Sequence, residues 1–137
     1  MQLSPYLAFN GTCEAALNFY KDIFDGEIVG LMRFGDSPME ISEDAKNRVM
    51  HATFNFGNNS FMASDSMPGQ DASDCSNITM SLGTNDIEAT NTTFSALAEG
   101  GRINMPLEDT FWGARFGMLT DKFGINWMIN CELPKTE

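Results

Sequence analysis

Residues 14–26 read EAALNFYKDIFDG and residues 88–100 read EATNTTFSALAEG. A shift of 74 residues lays Glu14 on Glu88, Ala15 on Ala89, Tyr20 on Phe94, Ile23 on Leu97, Asp25 on Glu99 and Gly26 on Gly100. Ala16, Leu17, Phe19, Tyr20, Ile23 and Phe24 recur at helical spacing, so the first stretch predicts a helix over Cys13–Phe24. Its partner predicts one over Ile87–Ala98. Each is stopped by glycine, with Gly26 and Gly100 in the position favoured after a helix end. Two helices matched at one offset point to an internal duplication.

Outward from the helices the halves read alike. Leu3–Phe9 is a short apolar run bounded by Asn10-Gly11, which predicts a strand, and Thr12 stands where a helix cap belongs. Strands are expected over Glu27–Phe34, Val49–Phe56 and Phe61–Ser64, the last two joined by a Gly57-Asn58-Asn59 hairpin turn. The polar stretch 35–47 reads as a loop or a short helix. In the second half strands are expected over Ile78–Leu82, Arg102–Pro106, Ala114–Thr120 and Ile125–Cys131, with Phe123-Gly124 turning the chain between the last two. Between the halves the composition shifts to Pro, Gly, Ser and Asp, which marks a linker over 68–75. One half alone would leave a sheet face bare, so two halves must complete one structure, within a chain or between chains.

Composition excludes several functions. The chain of 137 residues carries 19 acidic and 8 basic side chains, a net charge of −11. Scattered bases in so acidic a chain make no footprint for nucleic acid or an anionic membrane. A single histidine, His51, rules out metal sites built from several histidines. Three cysteines, at 13, 75 and 131, are odd in number and far apart, which argues against a disulfide framework or zinc knuckle and for reduced thiols in a cytoplasmic protein. MQLSPYLAF at the start has no basic segment and no long apolar run, so no signal peptide is read, and no segment has the ~20 apolar residues of a membrane span. No nucleophile elbow, phosphate-cradling loop or dinucleotide fingerprint is present.

The doubled β-α-β-β-β order resembles the vicinal oxygen chelate superfamily, also called the glyoxalase / bleomycin-resistance / dioxygenase superfamily. PYLAFNG (5–11), EAALNFYKDIF (14–24), FMASDSMPG (61–69) and DTFWGARFGMLTDKFGINWMIN (109–130) resemble its PhnB-like branch. The resemblance implies an α+β fold of paired β-α-β-β-β modules, about 1–67 and 76–134. Their eight strands form a curled mixed sheet around a cavity, and a homodimer is implied as well. In metal-using members four His, Glu or Gln side chains hold one divalent ion. Those positions fall here on Ser4 or Pro5, Ser64 or Asp65, Ser76 or Asn77, and Trp127 or Met128. Only Asp65 suits a hard cation, with Asn77 a weak helper, while such sites need three protein ligands or more. The expectation is therefore no cofactor and no superfamily-type metal, a divalent ion at Asp65 staying open. PhnB-like proteins are often labelled as related to a demethylubiquinone methyltransferase, yet no glycine-rich loop for S-adenosylmethionine is present.

Within that frame particular residues become candidates. Strand alternation puts Ala52, Phe54 and Phe56 under the helices and His51, Thr53 and Asn55 on the cavity side. His51 would act as a general base or a hydrogen-bond donor, or be hydrogen-bonded structure. Asp65 would close an Asx-type turn, or stand at the cup mouth paired with His51 or Arg115. Phe111, Trp112 and Phe116 would wall the cavity. Arg115 would neutralise a ligand anion or pair with Glu108 or Asp109. Met128 would face the cavity and Trp127 the helices. The favoured function is binding of a small organic molecule by His51, Thr53, Asp65, Asn77, Phe111, Trp112, Arg115, Phe116 and Met128. The alternative is a metal-dependent lyase, isomerase or dioxygenase-like enzyme using Asp65 and His51, and whether any reaction is catalysed stays open.

Overall fold

The computed structural model describes residues 1–67, 69, 70, 72 and 77–134. Most of the linker expected over 68–75 lies outside these residues, as do Cys75 and Ser76. The chain divides into two compact units, Met1–Ser73 and Asp74–Glu137.

The first unit runs β1 (Tyr6–Phe9), α1 (Cys13–Phe24), β2 (Glu27–Arg33), β3 (Val49–Phe56) and β4 (Asn59–Asp65). The second runs β5 (Met80–Thr84), α2 (Ile87–Ala98), β6 (Arg102–Asp109), β7 (Ala114–Thr120) and β8 (Asn126–Glu132). Each makes an open, mixed four-stranded sheet, in the order β1-β4-β3-β2 and β5-β8-β7-β6. The β1–β4 and β5–β8 pairs are parallel and the rest antiparallel. The element order is the doubled β-α-β-β-β unit expected from the sequence, and the fold class is α+β.

Boundaries differ where a local cause intervenes. β1 starts at Tyr6 instead of Leu3, because Pro5 has no N–H to give a ladder; its carbonyl alone accepts from Met62 N. The 35–47 region resolves into two single 3-10 turns, Phe34–Asp36 and Glu43–Ala45, the first closed by Asp36 accepting from Arg33 N. β6 runs on through Pro106 to Asp109, which is permitted because it is an edge strand with shifted register.

One face of each sheet is covered by its helix. α1 buries Cys13, Ala16, Leu17 and Tyr20, and β3 and β4 bury Ala52, Phe54, Phe61 and Ala63. The Tyr20 ring meets those of Phe54 and Phe61 edge-on at 6.4 and 6.2 Å. In the second unit Thr90, Phe94 and Leu97 of α2 are buried together with Leu119, Trp127, Ile129 and Cys131 of its sheet. No helix among the described residues is long and apolar enough to cross a membrane.

The helix ends correct the sequence reading. After α1 the left-handed residue is Asp25, at φ 52°, not Gly26. Gly26 serves close approach instead: a Cβ there would stand 2.5 Å from the Phe54 ring and 2.8 Å from the Asn55 carbonyl oxygen. After α2 the two tasks fall to Gly100, at φ 76°, and Gly101, whose Cβ would meet the Thr120 carbonyl oxygen at 2.3 Å. The repeat has slipped by one residue at this point, so Gly26 answers to Gly101. Thr12 makes no capping bond from its side chain, whereas Asp86 caps α2 by accepting from Ala89 N.

Candidate functional site

The face of each sheet away from its helix stays open, and strand register fixes what stands on it. In the first unit Val29 lies opposite Thr53, Thr53 opposite Met62 and Met62 opposite Tyr6, one row across four strands. One step along β3, His51 lies opposite Met32. A groove of about 450 Å³ opens beside Thr53 and Met62 of the first row, lined by these two with Gln2, Leu3, Ser4 and Ser60. His51 Nδ1 stands 3.2 Å from the Tyr6 hydroxyl, and the two rings are 5.8 Å apart. Tyr6, Met32 and Met62 were not singled out from sequence. The alternation of exposed Tyr6 and Ala8 with more buried Leu7 and Phe9 was legible, but the insertion of β4 between β1 and β3 was not.

In the second unit Met105 lies opposite Met118, Met118 opposite Met128 and Met128 opposite Ser81. Beside this methionine row, Glu108, Phe116, Asn130 and Gly83 form the next. Met128 is thus on the open face and Trp127 is buried on the other, its indole N–H donating to Asp121 at 2.9 Å. Phe111 and Trp112 project from the β6–β7 turn, almost fully and about half exposed. Trp112 packs edge-on against Phe111 at 5.0 Å and Phe116 at 6.0 Å, so the three rings form one step down to the sheet. Asn77 is exposed, ahead of β5.

Arg115 departs from a cavity-facing role. It lies opposite Cys131, on the helix side of β7. Its guanidinium donates to Asn91 of α2 and to Asp109, each at 3.0 Å. The surface pairing is the one formed, because alternation turns residue 115 away from the face that carries Phe116.

Asp65 is 4 % exposed and bound on both oxygens. Oδ1 accepts from Gly11 N at 3.0 Å and Cys13 N at 2.9 Å; Oδ2 accepts from Val49 N at 2.9 Å. The carboxylate therefore caps α1 from a distant strand, where the helix dipole favours negative charge, and ties β3 to the same point. It makes neither a local Asx turn nor a pair with His51. The Cys13 thiol beneath it is pushed up from 9.0 to about 12, by burial first and then by the Asp65 and Glu14 carboxylates. Above pH 9 the unfolded chain releases this proton and the folded chain keeps it, so stability present below pH 9 is lost between pH 9 and 12. Between pH 8.5 and 10.5 the wild type should lose up to about 2 kcal/mol more than Cys13→Ala, read by urea melts; parallel profiles would refute the assignment.

Residues 1–130 match the family described as 3-demethylubiquinone-9 3-methyltransferase. The chain belongs to this PhnB-like family. Protein YjdN of Escherichia coli is 36% identical to the PhnB-like chain over 140 residues, covering 95% of each. Protein PA1353 from Pseudomonas aeruginosa is 41% identical, with a TM-score of 0.89 over 98% of this chain and 99% of that one. The PhnB protein from Bacillus cereus is 31% identical, with a TM-score of 0.82 over 96% and 99%. The wider fold reaches a glyoxylase/bleomycin resistance protein/dioxygenase domain from Frankia, at a TM-score of 0.65, 10% identity and coverage of 96% and 97%.

Two groups implied by these relationships can be set against the residues. A methyl donor of nucleoside type is held by main-chain N–H groups of a glycine-bearing loop at a helix N-terminus. In the PhnB-like chain the Gly11 and Cys13 amides of that loop are already bonded to Asp65, and the first turn of α2 is capped by Asp86. These residues do not fit the donor. A superfamily-type metal would draw on Asp65, whose oxygens are engaged by three amides, and on Met128, a thioether. Among the described residues no three His, Cys, Asp or Glu side chains converge. This donor set does not fit a hard divalent ion either.

Proposed function

We propose that the PhnB-like chain binds a small organic molecule on the open sheet faces of its modules, without a superfamily-type metal site. The observation that carries this reading is the groove of about 450 Å³ beside Thr53 and Met62, within the size range of small-molecule pockets. Leu3 and Met62 give it apolar surface, and Gln2, Ser4, Thr53 and Ser60 bring polar groups that suit orientation of a ligand by one or two hydrogen bonds. Phe116, Met118 and Met128 supply a similar apolar face on the second module, with Phe111 and Trp112 as stacking surfaces. Asp65 and Arg115 enter this reading as residues that hold the walls. Exposed Val29, Met32, Ile103 and Met105 favour a homodimer, and buried free Cys13 and Cys131 suit a cytoplasmic setting.

The test is thermal melting against a panel of neutral aromatic compounds. A ligand at 100 times its Kd adds about 2.7 kcal/mol and should raise Tm by roughly 5–10 °C. Met62→Lys, which puts a charge into the groove, should abolish the shift while leaving the unliganded Tm within about 2 °C. If no compound shifts the wild type, or Met62→Lys responds equally, the proposal fails. The enzymatic alternative with Asp65 and His51 has less support, because both oxygens of the Asp65 carboxylate are engaged by backbone amides.

A further inference from the structure

We infer that Tyr6 fixes the tautomer of His51, making its Nε2–H a directed donor for a neutral carbonyl-bearing ligand on the open face of the first sheet. Register brings the pair together: Tyr6 on β1 lies opposite Met62 on β4, which lies opposite Thr53, two residues along β3 from His51. The hydroxyl reaches Nδ1 at 3.2 Å. An unprotonated imidazole nitrogen is a strong acceptor, while a phenolic oxygen shares its lone pairs with its ring and accepts poorly. The favoured arrangement is therefore Tyr6 O–H donating to Nδ1, which leaves the single ring proton on Nε2. Among the described residues Nε2 makes no hydrogen bond, so this N–H is left to donate to a ligand on the open face.

The surroundings define the ligand class. Met32 lies directly opposite His51, and Val29, Thr53 and Met62 continue the face, so the body of the ligand meets thioethers and aliphatic groups. The nearby cations are engaged elsewhere: Arg33 bonds Glu14 and the Asn47 carbonyl, and Arg48 bonds the Ser66 carbonyl. An anionic ligand would also meet a chain of net charge −11. A neutral acceptor fits better, and the tautomer leaves no lone pair on Nε2 for a metal.

The second half of the inference, the ligand class, rests on the binding function proposed above; the first half does not. Because His51 is the only histidine, a long-range proton–nitrogen spectrum of the full 15N-labelled chain contains one imidazole and reads its tautomer directly. At pH 8 the expected result is a pyridine-type Nδ1 and a pyrrole-type Nε2. Tyr6→Phe, which keeps the ring, should move Nδ1 towards the averaged value of a free histidine while backbone resonances beyond β1 and β3 stay in place. A pyrrole-type Nδ1 in the wild type, or an unchanged ring in Tyr6→Phe, overturns the tautomer assignment. The ligand arm compares acetophenone with α-methylstyrene, which differ by a carbonyl oxygen against a methylene. Acetophenone should shift the Nε2 signal several-fold more at equal concentration. Equal shifts overturn the carbonyl class with the binding face retained, and no shift of any groove resonance with either compound counts against the binding function itself.

Discussion

Asp65→Ala is expected to destabilise the first module by about 3–5 kcal/mol. The substitution strips the partner from three amides, those of Gly11, Cys13 and Val49, in a site almost closed to water. Each orphaned buried donor costs about 1–3 kcal/mol, and the α1 N-terminus also loses its negative charge. Asp65→Asn should cost less, about 2–3 kcal/mol, because its oxygen still caps α1 while its NH2 group faces the Val49 N–H donor to donor. Both tryptophans lie in the second unit, so the readout is urea unfolding by circular dichroism with hydrogen exchange at the three amides. An Asp65→Ala protein within 1 kcal/mol of wild type, with those amides still protected, would falsify the structural role. Loss of ligand response at full stability would return Asp65 to the functional candidates.

Gly101→Ala should destabilise the second module by about 2–4 kcal/mol. The new Cβ would stand 2.3 Å from the Thr120 carbonyl oxygen and 2.9 Å from backbone atoms of Asp121. Neither neighbour is a flexible side chain that can swing away. The strain falls on the turn whose Asp121 accepts from Phe123 N, Ile125 N and the Trp127 indole, so Trp127 fluorescence should report it. Gly100→Ala separates sterics from backbone conformation: its nearest neighbour is the pliable Lys122 chain at 3.3 Å, but φ is 76°. It should cost only about 1–2 kcal/mol. If the two costs were reversed, left-handed conformation rather than close approach would dominate this turn.

Much of the scaffold was legible in the chain. Cys13–Phe24, Val49–Phe56, Ile87–Ala98 and Ala114–Thr120 were bounded as they stand, because each is long enough for its period to outweigh end effects. The ends that moved depend on which strand lies next to which: those at Leu3 and around Pro106, the strand expected over Phe61–Ser64 that runs Asn59–Asp65, the one expected over Ile78–Leu82 that runs Met80–Thr84, and by one residue those at Phe34 and at Ile125–Cys131. The candidate site was less legible. The side of β3 that carries His51 and Thr53, and the opposed facing of Trp127 and Met128, followed from alternation alone. Arg115 next to Phe116 was open to the same reasoning, since a strand cannot present both to one face. Its partner Asn91, on another element, was not.

The sequence by itself determined the periodic quantities: the two helices, the strands about them, the duplication, and a residue set with one histidine and, at the four positions where the resemblance puts metal ligands, Asp65 as the one carboxylate. These are local, set by spacing along one element and by composition. Only the tertiary structure decided the partners. It brought Tyr6 to His51 across 45 positions and Asp65 to Gly11 across 54, and it gave Gly26 a packing task in place of a conformational one. Such contacts depend on strand order and register, which the hydrophobic pattern constrains only to one face or the other. For this reason Asp65, chemically the strongest candidate in the chain, proved to be the carboxylate that fastens a helix to two strands.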